Sequence, residues 1–312
     1  MKIFVTGATG VLGRPVVRML MDDGAEIVAL SRSAANRESI VKMGATPVDA
    51  DLFDVESLSR HITGCGAVLH LATSIPPVSK LRSADALIMN DRIRDAGTKA
   101  LVEAALASQS VKTFLYPGIC FMYADGGARW LAADDAEIRA PSPLRSTLAA
   151  ERHVAAFDES KTVRRGITLR FGAFYGATSR DSRDMLNMAR KGVVLPMAPD
   201  DAYRSFIWVD DAATAIHAAL ENADSGIYDV VEDVPYTQRE AIEALARAVR
   251  RKRLWRLPRW MLRLALTPEL RELVGRSQRV SAKRFKDITG WQPDVRDQTD
   301  GWVRVAREVA GA

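Results

Sequence analysis

The sequence predicts an α/β fold, a doubly wound parallel sheet with a smaller, mostly helical C-terminal domain that binds substrate. Two observations carry this prediction. Segments with strand spacing and helix spacing alternate through the first half of the 312 residues, which indicates parallel strands joined by helical crossovers. A glycine-rich loop separates the first strand from the first helix, as is typical of ligand-binding sheets of this class.

The elements can be assigned in order along the chain. Residues 3–5 form a short β-branched and aromatic run that predicts a buried strand. Further strands are expected at 25–30, 45–48, 66–71, 112–116 and 166–171, and helices at 11–22, 35–43, 55–62, 84–107 and 143–159. We expect residues 1–172 and 203–232 to form the sheet domain, and residues 173–202 and 233–312 the small domain.

The loop after the first strand has the composition of a phosphate-binding turn. In such a turn one glycine allows the tight bend, a second lets phosphate approach the backbone, and a third lets the helix pack close to the strand. The helix N-terminus adds free N–H groups and a positive dipole end. The alternative is a plain glycine-rich turn. The residues expected at the pyrophosphate of a dinucleotide are Gly7, Thr9, Gly10, Val11, Leu12, Gly13 and Arg14.

The end of the second strand indicates which dinucleotide binds. An acidic residue there would hold the ribose 2′-hydroxyl of NAD, but the strand is followed by Ser31, Arg32 and Ser33. The Arg32 guanidinium can meet a 2′-phosphate with a forked, charge-assisted hydrogen bond, and the serines can add hydroxyl donors. Arg14 is a second candidate. The sequence therefore favours NADP(H), with the alternative that both arginines are solvated surface charges.

Residues that follow the other strands are expected at the same edge of the sheet, because ligands of open α/β sheets bind at the carboxyl ends of the strands. Asp51 could instead cap the helix at 55–62, although Asp54 is better placed for that role. The expected contacts are Asp51 and Leu52 for the adenine, Leu71, Ala72 and Thr73 for the ribose and pyrophosphate, and Pro117 and Gly118 for the nicotinamide.

The composition narrows the class of protein. Hydrophobic residues make up 47% of the chain, and the two cysteines have no metal-ligand spacing. These features predict a globular cytoplasmic protein with neither a disulfide framework nor a metal. The N-terminal apolar run is too short for a signal peptide, and no stretch approaches membrane-spanning length. Much of the net charge of +5 lies between Arg247 and Lys286. Without a nucleic-acid-binding signature it indicates a solvated face, so neither nucleic acid nor membrane is expected as a partner.

Seven short motifs are spread over nearly the whole chain. They are residues 6–13 (TGATGVLG), 49–51 (DAD), 70–73 (HLAT), 97–105 (GTKALVEAA), 169–176 (LRFGAFYG), 204–211 (RSFIWVDD) and 226–230 (GIYDV). Together they resemble the extended short-chain dehydrogenase/reductase family, also called the NAD-dependent epimerase/dehydratase family. The resemblance implies a Rossmann sheet, a nicotinamide cofactor and a small-molecule substrate. Helices 84–107 and 143–159 correspond to those that pair subunits in many relatives, so it is compatible with a homodimer.

The catalytic residues of that family are replaced here. Its members carry Tyr-x-x-x-Lys at the start of the helix that reads PLRSTLAAE, which puts Pro143 at the tyrosine and Thr147 at the lysine. The family's catalytic serine or threonine corresponds to Ile119 or a neighbour, and Ala173 stands for a later asparagine. In the family the tyrosine transfers a proton, while the lysine lowers the tyrosine pKa and binds the nicotinamide ribose. The resemblance is therefore to an atypical branch.

Few residues could replace the lost proton donor. Tyr123 follows the fifth strand, where a matching tyrosine of relatives lies near the cleft. The alternative is a core tyrosine with a satisfied hydroxyl. Ser146 and Thr147 are candidates to bond a ribose hydroxyl, or else ordinary residues of the first helical turn.

Two residues are expected on the substrate side. Arg204 is a candidate to hold an anionic group, with a salt bridge to Asp200 or Asp201 as the alternative. Tyr175 is placed at the cleft, where it would pack behind the substrate.

These expectations together predict an NADPH-dependent, ketoreductase-like enzyme that reduces a carbonyl on a small aromatic or polyketide-like molecule. Loss of a general acid costs roughly 10²–10⁴-fold in rate, while orientation and a dry pocket still promote hydride transfer. A quinone-like or hydrogen-bonded aryl ketone would need no protein acid. The alternatives are a sugar-nucleotide epimerase or dehydratase, which the missing Tyr–Lys pair weakens, and a non-catalytic NADP-binding sensor.

Overall fold

The computed structural model describes residues 1–76, 81, 83–158 and 164–311. A central seven-stranded sheet in which all neighbouring strands run parallel confirms the predicted fold class. The strands are β1 (Lys2–Thr6), β2 (Glu26–Ser31), β3 (Thr46–Asp49), β4 (Ala67–His70), β5 (Thr113–Ile119), β6 (Trp130–Leu131), β7 (Arg165–Phe171), β8 (Ala173–Tyr175), β9 (Val193–Val194), β10 (Tyr203–Arg204), β11 (Phe206–Trp208), β12 (Gly226–Val230), β13 (Tyr236–Thr237), β14 (Trp255–Arg256) and β15 (Arg279–Val280).

Helices follow most strands of the sheet and then dominate the C-terminal part. Short 3₁₀ turns occur at Cys120–Met122, Ser142–Leu144 and Arg259–Met261. The α-helices are α1 (Gly13–Asp22), α2 (Ala34–Lys42), α3 (Val55–Ile62), α4 (Ile88–Arg92), α5 (Thr98–Ala107), α6 (Arg145–Ala156), α7 (Arg180–Arg190), α8 (Val209–Asn222), α9 (Gln238–Ala248), α10 (Leu262–Ala265), α11 (Pro268–Gly275), α12 (Lys283–Thr289) and α13 (Gln298–Gly311).

The strand order places a binding crevice at the centre of the sheet. The order is β12-β7-β5-β4-β1-β2-β3, so the chain builds outward from β1 in one direction and from β4 in the other. The switch point lies between β1 and β4, whose last residues Thr6 and His70 pair in register. Ligands of open α/β sheets bind outside the carboxyl ends of the strands at this point, and the glycine turn after β1 lies there.

Successive side chains of β1 are buried on opposite faces of the sheet. Ile3 and Val5 belong to the core that α1 and α8 cover, while Phe4 belongs to the core beneath α3, α5 and α6. Because side chains of a strand alternate between faces, a run that is apolar at successive positions is typical of a sheet covered on both sides.

Strand β5 ends three residues later than predicted, since it continues through Pro117 and Gly118 to Ile119. The sequence predicts instead that Pro117 and Gly118 follow the strand. Its pairing with β4 stops at Leu115, whereas its pairing with β7 continues to Ile119. Beyond Leu115, β5 therefore has an open side, where proline is tolerated in a strand.

Two predicted helices have different bounds. The helix expected at 84–107 is divided into a 3₁₀ turn, α4, a π turn at Ile93–Gly97, and α5. The helix expected at 143–159 is α6, which spans Arg145–Ala156, and residue 159 lies outside the described residues. A π turn often marks a functional site, and this one lies beside the crevice.

A separate apolar core joins α7, α9 and α13 around Tyr175, Trp208 and Trp302. The predicted division into two domains stays a prediction. Phe285 and Trp291, which it assigns to the small domain, pack in the core of the large sheet. Among the described residues no helix is long and apolar enough to cross a membrane.

Candidate active site

The glycine turn is fixed by close backbone contacts. Gly7 has a φ of 77°, and a Cβ there would lie 2.6 Å from the backbone of Leu71 and Ala72. A Cβ on Gly13 would lie 2.1 Å from the carbonyl oxygen of Gly7. A positive φ at Gly7 favours glycine, and the approach at Gly13 excludes any side chain.

Gly10 differs from these two glycines because it faces outward. It is exposed, and a Cβ there would meet only the Gly7 carbonyl, at 3.2 Å. Within the described residues, the amides of Val11 and Leu12 donate no hydrogen bond. The surface beside Gly10 is therefore an open cradle of amides at the N-terminus of α1, which is suited to an anion.

Other predicted cofactor residues border this turn. The Ala72 amide donates to Thr6 Oγ1 at 3.4 Å, and Thr73 is exposed. The exposed Asp51 carboxylate accepts from the Phe53 amide at 2.9 Å. Asp54, rather than Asp51, caps α3. Leu52 lies against Gly97, where a Cβ would be 3.1 Å from its side chain. The carboxyl ends of β3 and β4 thus line one crevice with the turn.

The residues after β2 leave one arginine available. Ser31 is buried and donates to the Ser33 carbonyl at 3.0 Å, while Ser33 caps α2 by accepting from the Asn36 amide at 3.2 Å. Arg32 is exposed and has no ion-pair partner among the described residues. Arg14, by contrast, donates to the Thr9 carbonyl at 3.0 Å. Arg32 can therefore turn to a phosphate, and Arg14 stays a second candidate because its terminal guanidinium nitrogens have no partner among the described residues.

The positions that the family resemblance assigns to proton-transfer groups hold Pro143, Thr147 and Ile119 or a neighbour. Pro143 lies half-buried in the 3₁₀ turn that leads into α6, and Ile119 is half-buried at the end of β5. Thr147 is fully buried, and the Ser146 hydroxyl donates to Asp91 at 2.7 Å. The Thr147 hydroxyl has no hydrogen-bond partner among the described residues, and the predicted contact of Ser146 and Thr147 with a ribose stays a prediction.

A buried polar row on the divided helix was missed by the sequence reasoning. Asn90 accepts from the Ser74 amide at 3.1 Å, and Arg94 donates to the Tyr116 hydroxyl at 2.6 Å. Arg94 is 7% exposed and forms no ion pair within the described residues. The signal was the four-residue spacing of Asn90, Arg94 and Thr98, which places polar side chains on one helix face.

Pro117 and Gly118 lie within β5 rather than after it, and both are buried. Their approach to the nicotinamide stays a prediction. A Cβ on Gly118 would lie 2.9 Å from Glu151 Oε1. That carboxylate forms a two-point ion pair with Arg170, at 3.0 and 2.7 Å. Gly118 therefore makes room for a buried ion pair between β7 and α6.

Tyr123 is a core residue and not a group of the cleft. Its side chain is 0% exposed, its hydroxyl donates to Asp229 at 2.7 Å, and it accepts from Arg170 at 3.0 Å. Burial raises the pKa of Tyr123 and raises the pKa of Asp229 to about 7. A hydroxyl that is buried and bonded on both sides cannot reach a substrate, so the expected proton donor is corrected to the core alternative.

Tyr175 also belongs to the core. It is 1% exposed, donates to Glu232, and packs edge-on against Trp208 with ring centroids 5.4 Å apart. Burial raises the pKa of Glu232 to about 8. The expected contact of Tyr175 with substrate is therefore corrected, because Trp208 and Trp302 enclose its ring.

Arg204 has neither of the predicted carboxylate partners. Asp200 pairs with Arg256 and Arg239 instead. The Arg204 guanidinium donates to the Val274 carbonyl and lies 5.7 Å from the centre of the Phe121 ring. Burial lowers its pKa to about 10, so it stays charged at neutral pH. Arg204 is thus a buried cation without an ion-pair partner among the described residues.

A parallel sheet with unbonded amides in the glycine turn at its switch point is typical of nucleotide-binding proteins of the α/β class. The model of the NAD dependent epimerase/dehydratase family matches residues 3–231, and the chain belongs to that family. The predicted resemblance is confirmed.

Relatives of the chain include named reductases. A 3-diazoavenalumate denitrifying reductase from a Streptomyces species is 29% identical over 97% of this chain and 100% of its own length. A ceramide reductase from Caulobacter vibrioides is 28% identical over 82% of this chain and 73% of its own.

Among solved structures, the human epimerase family protein SDR39U1 with NADPH has a TM-score of 0.81 at 18% identity, over 98% of this chain and 99% of its own. The likeness confirms the fold. The family description names NAD, whereas the SDR39U1 structure contains NADPH. The comparisons thus support an oxidoreductase-type enzyme with a nicotinamide cofactor.

Proposed function

We propose that the protein is an NADPH-dependent reductase that delivers hydride to an activated acceptor on a small aromatic or polyketide-like molecule. One observation carries the proposal. The turn after β1 keeps its unbonded amides, while the family resemblance assigns the positions of the proton-transfer groups to Pro143, Thr147 and Ile119 or a neighbour. Such a site can bind and orient, but it has no side chain there to protonate an alkoxide.

The described residues fit a phosphorylated dinucleotide. The open amides of Val11 and Leu12 would hold the pyrophosphate, and Gly10 would let it approach. Arg32 would hold the 2′-phosphate through a charge-assisted hydrogen bond. When bound, the cofactor supplies a hydride, and the protein supplies position and shelter from water.

The class of hydride acceptor is inferred from the lack of a proton donor at the positions that the family resemblance assigns to one. A quinone-like or hydrogen-bonded aryl carbonyl forms a stabilised anion when it accepts hydride, and water or the substrate itself can then provide the proton. Arg204 beside Phe121 supports an aromatic substrate with an anionic group, since its charge has no carboxylate partner in the described residues.

A second acceptor is favoured by the relative that matches almost the whole chain, whose name describes a reductase that removes nitrogen from a diazo compound. Hydride added to an aryl diazonium ion gives the arene and N₂, and this reaction balances without a proton. A site without a general acid suits that chemistry as well.

The experiment is a comparison of acceptors with NADPH oxidation as the readout. We expect oxidation with 2-methyl-1,4-naphthoquinone or a benzenediazonium carboxylate, and none with cyclohexanone, an unactivated ketone that needs an acid. Interconversion of UDP-glucose and UDP-galactose would favour the epimerase instead. Tight NADPH binding without turnover of any acceptor would favour a non-catalytic sensor.

A further inference from the structure

We propose that residues 250–264 form a docking surface for an anionic lipid membrane. This segment is named the 250–264 surface below. It contains seven basic residues, and no acidic residue occurs from Val249 to Pro268. The sequence alone favours a solvated face here, but the structure adds exposed apolar side chains to the charge.

Three large apolar side chains of this surface face solvent. Trp255 is 74% exposed, Trp260 61% and Leu264 59%. Trp260 and Leu264 are four residues apart in a continuous 3₁₀ and α-helical turn, whereas Leu262 and Leu266 are 3% and 4% exposed. The turn thus buries one side and presents Trp260 and Leu264 on the other. Clustered exposed apolar groups mark an interaction site.

The charge of the surface is mostly uncompensated. Arg256 pairs with Asp200, and Arg251 donates to the Arg190 carbonyl. In the described part of the chain, the cations of this surface that form neither an ion pair nor a side-chain hydrogen bond are Arg250, Lys252, Arg253, Arg259 and Arg263. Each cation near an anionic membrane contributes about 1 kcal/mol to binding, so these side chains complement a phospholipid surface.

One cation is kept at a conformational cost. Arg250 follows α9 with a φ of 56°, in the left-handed region that favours glycine. Its amide and that of Arg251 close the end of α9 by bonding to the Arg247 and Ala246 carbonyls. A charged side chain at a glycine position is consistent with a function that needs the charge.

Lipid is favoured over nucleic acid by the kind of apolar residue exposed. Tryptophan prefers the membrane–water interface, and an apolar helical turn rimmed by arginine is typical of segments that lie in it. A base can stack on tryptophan, but an exposed Leu264 beside Trp260 has no such role. Aliphatic side chains gain free energy by entering the acyl boundary.

The 250–264 surface lies next to residues of the proposed substrate site, so docking would bring that site close to the membrane. This step rests on the proposed function. The buried side of the turn, Leu262 and Leu266, belongs to a cluster that includes Phe121 and Leu144. Phe121 faces Arg204, and Leu144 follows Pro143. The buried side of this segment thus packs against Phe121 and Leu144, and its exposed side would contact lipid. A substrate dissolved in the bilayer could enter without crossing water.

The test uses the full-length protein and vesicles of phosphatidylcholine with or without phosphatidylglycerol, read by flotation and by tryptophan fluorescence. We expect flotation with the anionic vesicles, reduced at high salt, and a blue shift that Trp255→Phe/Trp260→Phe removes. Lys252→Ala/Arg253→Ala/Arg263→Ala should weaken binding roughly 100-fold. Arg18→Ala/Arg60→Ala/Arg307→Ala, which removes the same charge from exposed helix positions elsewhere, should not.

Absence of flotation with anionic vesicles at low salt would overturn the proposal, as would equal effects of the two triple variants. Flotation without a blue shift, or tighter binding of the protein to single-stranded RNA than to vesicles, would also overturn it. Because circular dichroism and urea unfolding check the fold of each variant without NADPH, failure here is distinguishable from failure of the proposed function.

Discussion

At one end of the cofactor crevice, the turn between β1 and α1 presents open backbone amides beside Gly10. At the other end, Ile119 ends β5 and Pro143 lies in the 3₁₀ turn before α6, with polar side chains buried behind them. We propose that the first region binds the cofactor through backbone geometry. The family resemblance assigns the proton-transfer side chains of relatives to the second region, where this chain has other residues. On this proposal binding and proton transfer are separable in the fold.

The largest effect should come from adding a methyl group to the turn. Gly13→Ala puts a Cβ at 2.1 Å from the Gly7 carbonyl, so we expect a loss of roughly 3 kcal/mol of stability from overpacking, and no NADPH binding. Gly10→Ala, whose Cβ would lie 3.2 Å from the same carbonyl oxygen, should lose less stability than Gly13→Ala but bind NADPH weakly. Urea unfolding and fluorescence titration measure the two effects. Equal stability of both variants would break the distinction.

The next largest effect concerns the choice of cofactor. Arg32→Ala should weaken NADPH binding roughly 10- to 100-fold, as expected for a lost hydrogen bond between charged groups, and leave NADH binding unchanged. Arg18→Ala, an exposed arginine of α1, is the control. If the unaltered protein bound NADH and NADPH equally, the role of Arg32 would be wrong.

The next prediction concerns Tyr123 and whether its hydroxyl stabilises the core or donates a proton to substrate. Tyr123→Phe should cost about 1–3 kcal/mol of stability, because Asp229 and Arg170 lose a buried partner. Turnover of the naphthoquinone should be unchanged. Tyr236→Phe, which removes a half-buried hydroxyl bonded to Thr299, is the control for stability. A large fall in turnover with normal NADPH affinity would return Tyr123 to the role of proton donor.

A smaller effect is expected in the dependence of stability on pH. Burial raises the pKa of Glu232 from 4.5 to about 8, so the folded protein holds a proton that the unfolded chain has released. Stability should therefore fall as pH rises from about 5 to about 8. Glu232→Gln, which stays neutral, should flatten the change in melting temperature, whereas the exposed Glu308→Gln should not. A melting temperature that rises over this range would contradict the shift.

The two regions also differ in what the sequence could predict. Gly7 and Gly13 are required by the backbone, and the spacing of glycines after a strand is visible in the sequence. Tyr123 and Tyr175 depend on which buried carboxylates face them, Asp229 and Glu232, which lie 106 and 57 residues away. The sequence could not show that β5 continues through Pro117 and Gly118. Proline is tolerated in this part of the strand because the pairing of β5 with β4 ends at Leu115. These contacts depend on tertiary packing between distant parts of the chain, which local sequence patterns do not predict.

The central claim is that hydride transfer in this protein needs no proton from a side chain. The most direct test is the isotope effect on kcat/KM for the naphthoquinone, measured in H₂O and in D₂O with NADPH deuterated at the transferred position. We predict a normal effect from the labelled cofactor and a solvent effect close to unity. A large solvent effect that accompanies the hydride step would show a protein acid at work and contradict the account.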